Sequence, residues 1–218
     1  MDNPDPTKFQ NNPIVTLNVG LDKHTFHVHQ ALLFEYSPVF KAAFSGKCRE
    51  SSERCMALPE DDPETVERFM QWLYFKSIGL TKGVSPETWD ECSLQLARLN
   101  TLADKFDVGL LKNSIIDELF ALAKIAAWLP ETPVIAYIYE NTTETSSLRK
   151  LIVEWHVWQI DYDWYTHSDT RADLKTMPAF VADLAIAMSR RVQDPSLESP
   201  FHSDPSSYYE DRSTTSGD

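Results

Sequence analysis

The sequence predicts an α+β fold, a small β-sheet flanked by α-helical hairpins and followed by an all-α extension. Two short segments near the N-terminus alternate their apolar residues with the period of a strand. Farther along, apolar residues recur at i, i+3, i+4 and i+7. Three helix starts carry a capping residue followed by proline, at Ser37-Pro38, Asp62-Pro63 and Ser85-Pro86.

The first strand is "IVTLNVG", with Val15, Leu17 and Val19 on one face and Ile14, Thr16 and Asn18 on the other. After "LDK", "HTFHVH" sets Phe26 and Val28 against His27 and His29, so the two strands form a hairpin that needs helices to cover it. "QALLFEY" supplies a short apolar helical turn. Ser37 then caps "PVFKAAF", in which Phe40, Ala43 and Phe44 form a buried stripe. "SGKCRESSER" reads as a polar loop and "CMALPE" as a short extended segment. Asp62-Pro63 opens a helix with Val66, Phe69, Met70 and Leu73 on one side, and "YFKSIGL" reads as a further short strand closed by Gly79 and Gly83. A long helix from Ser85-Pro86 carries Leu96, Leu99, Ala103 and Phe106. Asp107-Val108-Gly109 breaks it before a second long helix with Leu111, Ile115, Leu119 and Leu122.

From Pro130 the helical pieces shorten to "PVIAYIYEN", "SSLRKLIVEWHVW" and "PAFVADLAIAMSRRV". The middle piece is apolar on more than one face and is expected to lie between neighbours. Residues 1–12 are acidic and rich in Pro and Asn, and residues 193–218 are rich in Ser, Pro and acid, so both ends are expected to be disordered. The expected organisation is a first domain over residues 13–125 and a helical extension over residues 126–192.

Composition excludes several functions. A net charge of −13 from 33 acidic and 20 basic residues gives no clustered Lys and Arg to track phosphates, so nucleic acid is not an expected partner. The three cysteines, Cys48, Cys55 and Cys92, form no C-x-x-C and read as reduced thiols of an intracellular protein. The N-terminus lacks the pattern of a secretory signal, and the longest apolar stretch, "LFALAKIAAWL", falls far short of the roughly 20 residues of a membrane span. A cytoplasmic or nuclear location is expected, with no membrane partner. No G-x-S-x-G occurs and none of the 6 glycines builds a phosphate-cradling loop, so neither an enzyme nor a cofactor is expected.

In their order and spacing, "VTLNVG", "HTFHVHQALLFEYSPVFKAAFSG", "LPEDDPETVERFMQWLYF" and "LNTLADKFDVGLLK" resemble the BTB/POZ domain family over about residues 14 to 122. The region from Pro130 to Val192 resembles the helical extension of short fungal members. The resemblance implies a small sheet between helical hairpins and a role in protein–protein interaction, commonly as a homodimer. On this chain it points to an apolar helical face at Leu32, Leu33, Phe34, Val39 and Phe40 for a second copy. Two places depart from the family. Pro13-Ile14 and Gln30 stand where an Asp and a Lys or Arg are common, which removes charges used by the corepressor-peptide pocket of transcription-factor members, in a region that dimerisation shares. Members that bind a cullin scaffold as ubiquitin-ligase adaptors use an apolar-x-Glu triplet after the second helix. The matching residues here are Cys48, Arg49 and Glu50, with Cys48 smaller than the usual residue, so it would bury less than the roughly 1.5 to 3 kcal/mol of a full-sized apolar side chain.

Two further constellations stand out. His27-x-His29 places two imidazoles on one strand face, a start for a metal site that needs a third ligand. The resemblance instead implies that His29 fixes the strand-to-helix corner by hydrogen bonding. "EWHVWQIDYDWYTH" concentrates Trp155, Trp158 and Trp164, either as a partner site or as filling between the extension and the first domain. In the tail, Ser199-Pro200 and Tyr208-Tyr209-Glu210-Asp211 serve either modification or solubility. The expected function is a non-enzymatic interaction module that pairs with itself, with a cullin and client proteins of unknown identity as further partners. The alternatives are a self-assembling scaffold or transcription-related regulator without ubiquitin chemistry and, more remotely, a metal-dependent enzyme using His27 and His29.

Overall fold

The structure is a computed structural model that describes residues 12–46, 49–80, 84–85, 88–126, 129–159 and 161–210. The expected N-terminal disorder, apart from Asn12, and residues 211–218 lie outside the described residues. The chain divides into two compact units. The first holds the residues up to Gly79 together with residues 98–115, and the second holds residues 80–97 and 116–210.

The first unit is built on a three-stranded sheet. Strand β1 (Ile14–Val19) is central, antiparallel to β2 (His24–His29) and parallel to β3 (Cys55–Leu58). The alternation in the sequence gives the pleat its two faces, with Val15, Leu17 and Val19 wholly buried on one. The other face carries a polar ladder, in which Thr25 donates to Asn18 at 3.2 Å and the Asn18 amide donates to Cys55 Sγ at 3.2 Å.

Helices α1 (Gln30–Tyr36) and α2 (Pro38–Ser45) follow the hairpin directly. Ser37 caps α2 as expected. Its hydroxyl accepts from the Phe40 amide at 3.1 Å and donates to the Phe106 carbonyl at 2.5 Å. The rings of Phe40 and Phe106 stack 4.2 Å apart, and Phe69 of α4 (Pro63–Phe75) stacks against both at 6.2 and 6.3 Å. Asp62 caps α4 by accepting from the Thr65 amide and hydroxyl at 2.9 and 2.8 Å. Helix α5 (Trp89–Lys105) ends in a Schellman turn in which the Val108 amide donates to the Ala103 carbonyl at 2.8 Å. Asp107, at φ 52°, takes the left-handed position there, while Gly109 opens α6 (Gly109–Ala126).

Two expectations for this unit need correction. The polar segment "SGKCRESSER" contains a short helix, α3 (Arg49–Glu53), spanned by an i,i+4 ion pair between Arg49 and Glu53 at 2.8 Å. "YFKSIGL" is not a strand among the described residues. Lys76 at φ 54° and Gly79 at φ 72° bend the backbone out of extended geometry, and the segment is held by the buried side chain of Ile78. The Lys76 ammonium lies 3.3 Å over the Tyr36 ring.

The second unit contains α7 (Thr132–Asn141), α8 (Ser147–Trp158), α9 (Tyr162–Thr166), α10 (Ser168–Leu174) and α11 (Pro178–Gln193). The pieces α9 and α10 escape the apolar periodicity because each has two turns or fewer. Helix α8 is buried on several faces, with Leu148, Leu151, Ile152, Trp155 and Val157 each at most 3 % exposed. Its Arg149 is also buried, stacked 4.4 Å from the Tyr139 ring and donating to the Tyr139 carbonyl at 2.6 Å and to Thr142 Oγ1 at 2.9 Å. Thr132 of α7 donates to Asp173 of α10 at 2.5 Å. His156 lies in the same core, its Nδ1 2.7 Å from the Ile152 carbonyl.

The tail expected to be disordered from residue 193 is ordered over much of its described length. Two 3₁₀ turns at Pro200–His202 and Pro205–Tyr208 bring Phe201 into a stack 5.5 Å from Trp155 and bury Tyr208, whose hydroxyl donates to Glu154. Its Ser, Pro and acid content conceals these aromatic anchors. Among the described residues no helix is long and apolar enough to cross a membrane.

Removing the Ser37 hydroxyl deprives α2 of its cap and the buried Phe106 carbonyl of a donor. Ser37→Ala is expected to lower the unfolding free energy by about 2 kcal/mol, read as a lower urea midpoint at unchanged slope. Burial pushes His156 down to about 4 from its ordinary 6.5, outweighing the Ile152 and Pro130 carbonyls, which favour the charged form. Between those values the unfolded chain takes up a proton that the folded chain refuses. The stability held by a neutral His156 is therefore complete above pH 6.5 and is lost as the pH falls toward 4. In His156→Gln the unfolding free energy should fall less steeply over that window; a slope equal to the wild type's would refute the assignment.

Candidate interaction surfaces

Helices α1 and α2 each present one apolar stripe, and the sheet and the phenylalanine stack of the first unit take most of it. Leu33 and Phe40 have no exposed surface and Leu32 is 6 % exposed, whereas Phe34 is half-buried and Val39 is 39 % exposed. Of the five residues expected to face a second copy, those two retain surface for it.

The strand-to-helix corner is tightly determined. His29 is the residue before α1 and pairs with Ile14 across the hairpin, and the Gln30 amide donates to the Pro13 carbonyl at 2.9 Å. The two places that depart from the family's usual charges thus meet through one backbone hydrogen bond. Tyr74 of α4 closes the corner. Its hydroxyl accepts from the His29 amide at 3.2 Å and lies 2.8 Å from His29 Nδ1. The one hydroxyl thus ties both the backbone and the ring of His29 to α4. His27 Nδ1 lies 3.3 Å from the Thr16 hydroxyl on the exposed face. Among the described residues no group of three or more His, Cys, Asp or Glu side chains is placed to hold a metal ion.

Beside this corner stand two large exposed apolar side chains. Ile14, opposite His29, is 53 % exposed, and Phe75, its ring 6.5 Å from that of Tyr74, is 72 % exposed. Strand alternation marks Ile14 as outward-facing. Phe75 could be found by its place off the stripe that Val66, Phe69 and Leu73 define.

Of the residues matching the cullin-contact triplet, Cys48 lies outside the described residues. Arg49 is mostly exposed and donates to Glu53, while Glu50 sits half-buried in the first turn of α3.

The tryptophans serve the interior of the second unit. Trp155 is 1 % exposed between Phe201 and Phe120, the latter edge-on at 5.3 Å. Trp158 is half-buried under the Arg191 guanidinium at 4.1 Å. Trp164 donates from its indole nitrogen to Glu131 at 2.9 Å. Around Trp164 the helices leave a recess of about 260 Å³, lined by Pro130, Glu131, His156, Asp161, Trp164 and Tyr165 among others. Sequence reading drew attention to this aromatic run but gave no sign of a cavity, which depends on the path of the chain between α8 and α9.

The sequence profile of the BTB/POZ domain matches residues 9–119. No curated protein matches the chain. The match takes in just over half of the 218 residues, the whole three-stranded sheet, the capped α1–α2 pair, and α4 and α5; the chain belongs to the BTB/POZ domain family, a family of protein–protein interaction domains.

Proposed function

We propose that the protein is a non-enzymatic interaction module that pairs with a second copy of itself through its first domain, residues 13–125, which the helical extension of residues 126–192 follows in the chain. The observation that carries the reading is the exposed apolar surface beside the β2–α1 corner, Ile14 of β1 and Phe75 of α4, with Val39 adding exposed apolar surface on α2. Large apolar side chains so exposed, next to a corner fixed by Tyr74 and His29, favour association, because a rigid surface loses little entropy on docking. Buried Leu32, Leu33 and Phe40 act behind that surface by holding the two helices in place. Sedimentation equilibrium at micromolar concentration should return the dimer mass. Phe75→Ser and Val39→Asp should each weaken the association about tenfold or more with little change in thermal stability, since neither side chain belongs to the core. A strictly monomeric wild type would sink the proposal.

A second reading is favoured by α3, which displays Arg49 and Glu50 on a short helix after α2: a cullin-scaffold adaptor. This predicts that the tagged protein captures a cullin and that Glu50→Ala weakens capture by about tenfold. Oligomers that capture no cullin, where an established adaptor does, would point to a self-assembling scaffold or transcription-related regulator without ubiquitin chemistry.

A further inference from the structure

The recess in the second unit is lined by two residues with buried polar atoms that have no partner, His156 and Tyr165. His156 is 3 % exposed, its Nδ1 lies 2.7 Å from the Ile152 carbonyl, and the Pro130 carbonyl also acts on the ring. A carbonyl only accepts, so the close contact at Nδ1 requires the proton there, and the neutral ring is left with a lone pair on Nε2. The Pro130 carbonyl cannot satisfy a lone pair, and Nε2 makes no hydrogen bond. The Tyr165 hydroxyl, lining the same recess, is also buried without a partner. A buried, unpartnered acceptor beside another acceptor calls for a donor between them.

The remaining walls specify that donor's charge. Glu131 and Asp161 line the recess, and among the described residues lining it there is no Lys or Arg. Trp164 and Tyr165, edge to face at 4.8 Å, supply aromatic surface on which an alkyl chain can rest. Glu131 is already oriented by the indole N–H of Trp164, so its position does not depend on a ligand. At about 260 Å³ the space holds a compact molecule, given that water occupies about 30 Å³ in the liquid.

We propose that this recess binds a small primary alkylammonium ion, which donates N–H to His156 Nε2 and the Pro130 carbonyl, is neutralised by Glu131 and Asp161, and rests its alkyl part on Trp164 and Tyr165. The binding is non-covalent and independent of any pairing through the first domain.

NMR titration of the full-length protein tests this, with n-butylammonium chloride as the probe and sodium butyrate as the anionic control of similar size. Butylammonium should give saturable shifts at Glu131, His156 and Trp164 with a Kd of about 1 mM or tighter. It should also move the His156 Nε2 nitrogen resonance upfield as the lone pair accepts a hydrogen bond, whereas butyrate should leave all of these unchanged. Glu131→Gln and His156→Phe should each weaken binding about tenfold or more. If the second variant does not fold, the Nε2 resonance of the wild type still decides the matter. No saturable shift up to about 10 mM, meaning a recess filled by water only, would overturn the proposal. So would an equal response to butyrate, or ammonium binding that leaves Nε2 unmoved.

Discussion

The Ser37 hydroxyl accepts from the amide of Phe40 and donates to the carbonyl of Phe106, and the two residues it ties together are those whose rings stack 4.2 Å apart. One buried hydroxyl therefore sets the start of α2, the end of α5 and the spacing of the aromatic core between them. Neither backbone group has water to turn to at this depth, since Ser37 is 1 % exposed, so the arrangement is discrete and not adjustable. The corner at His29 relies on α4 in the same way. Phe69, one face of the stack, and Tyr74, the partner of His29, project from that one helix.

The second unit achieves its order differently. Its central helix α8 is apolar on several faces, and among the described residues no carboxylate forms an ion pair with its buried Arg149. It is held by the carbonyl and hydroxyl oxygens at the end of α7 and by the Tyr139 ring. Hydrogen bonds to a fixed helix end orient a guanidinium as firmly as an ion pair does, without a second buried charge to desolvate. His156, on the same helix, packs against the rings of Trp164 and Phe180.

How much of this was legible in the sequence depends on the range of the interaction concerned. The hairpin, the Ser37 and Asp62 caps, the β3 segment and the long helices follow from local pattern and were readable. The "YFKSIGL" segment was misread because its apolar residues mimic a strand, while the deciding event, a left-handed Lys76 stacked on Tyr36, is a tertiary contact. The apolar face of α1 and α2 was correctly seen as apolar, but sequence cannot say whether such a stripe meets its own core or a partner, and Leu33 and Phe40 went inward. Of the aromatic run, composition announced Trp155, Trp158 and Trp164; the recess formed by His156, Tyr165 and Pro130 is set by chain path and has no signature in residue order.

The residues after α11 fold back, so that Phe201 lies flat on the Trp155 indole and Tyr208 reaches Glu154 and the Phe120 ring. These last turns complete the core of the second unit as an internal latch. A chain truncated after Gln193, at the apparent end of the regular helices, would strip one face of Trp155 and two aromatic rings from that unit. The proteolytic boundary of the folded protein should accordingly lie beyond Tyr208, some fifteen residues past the last long helix.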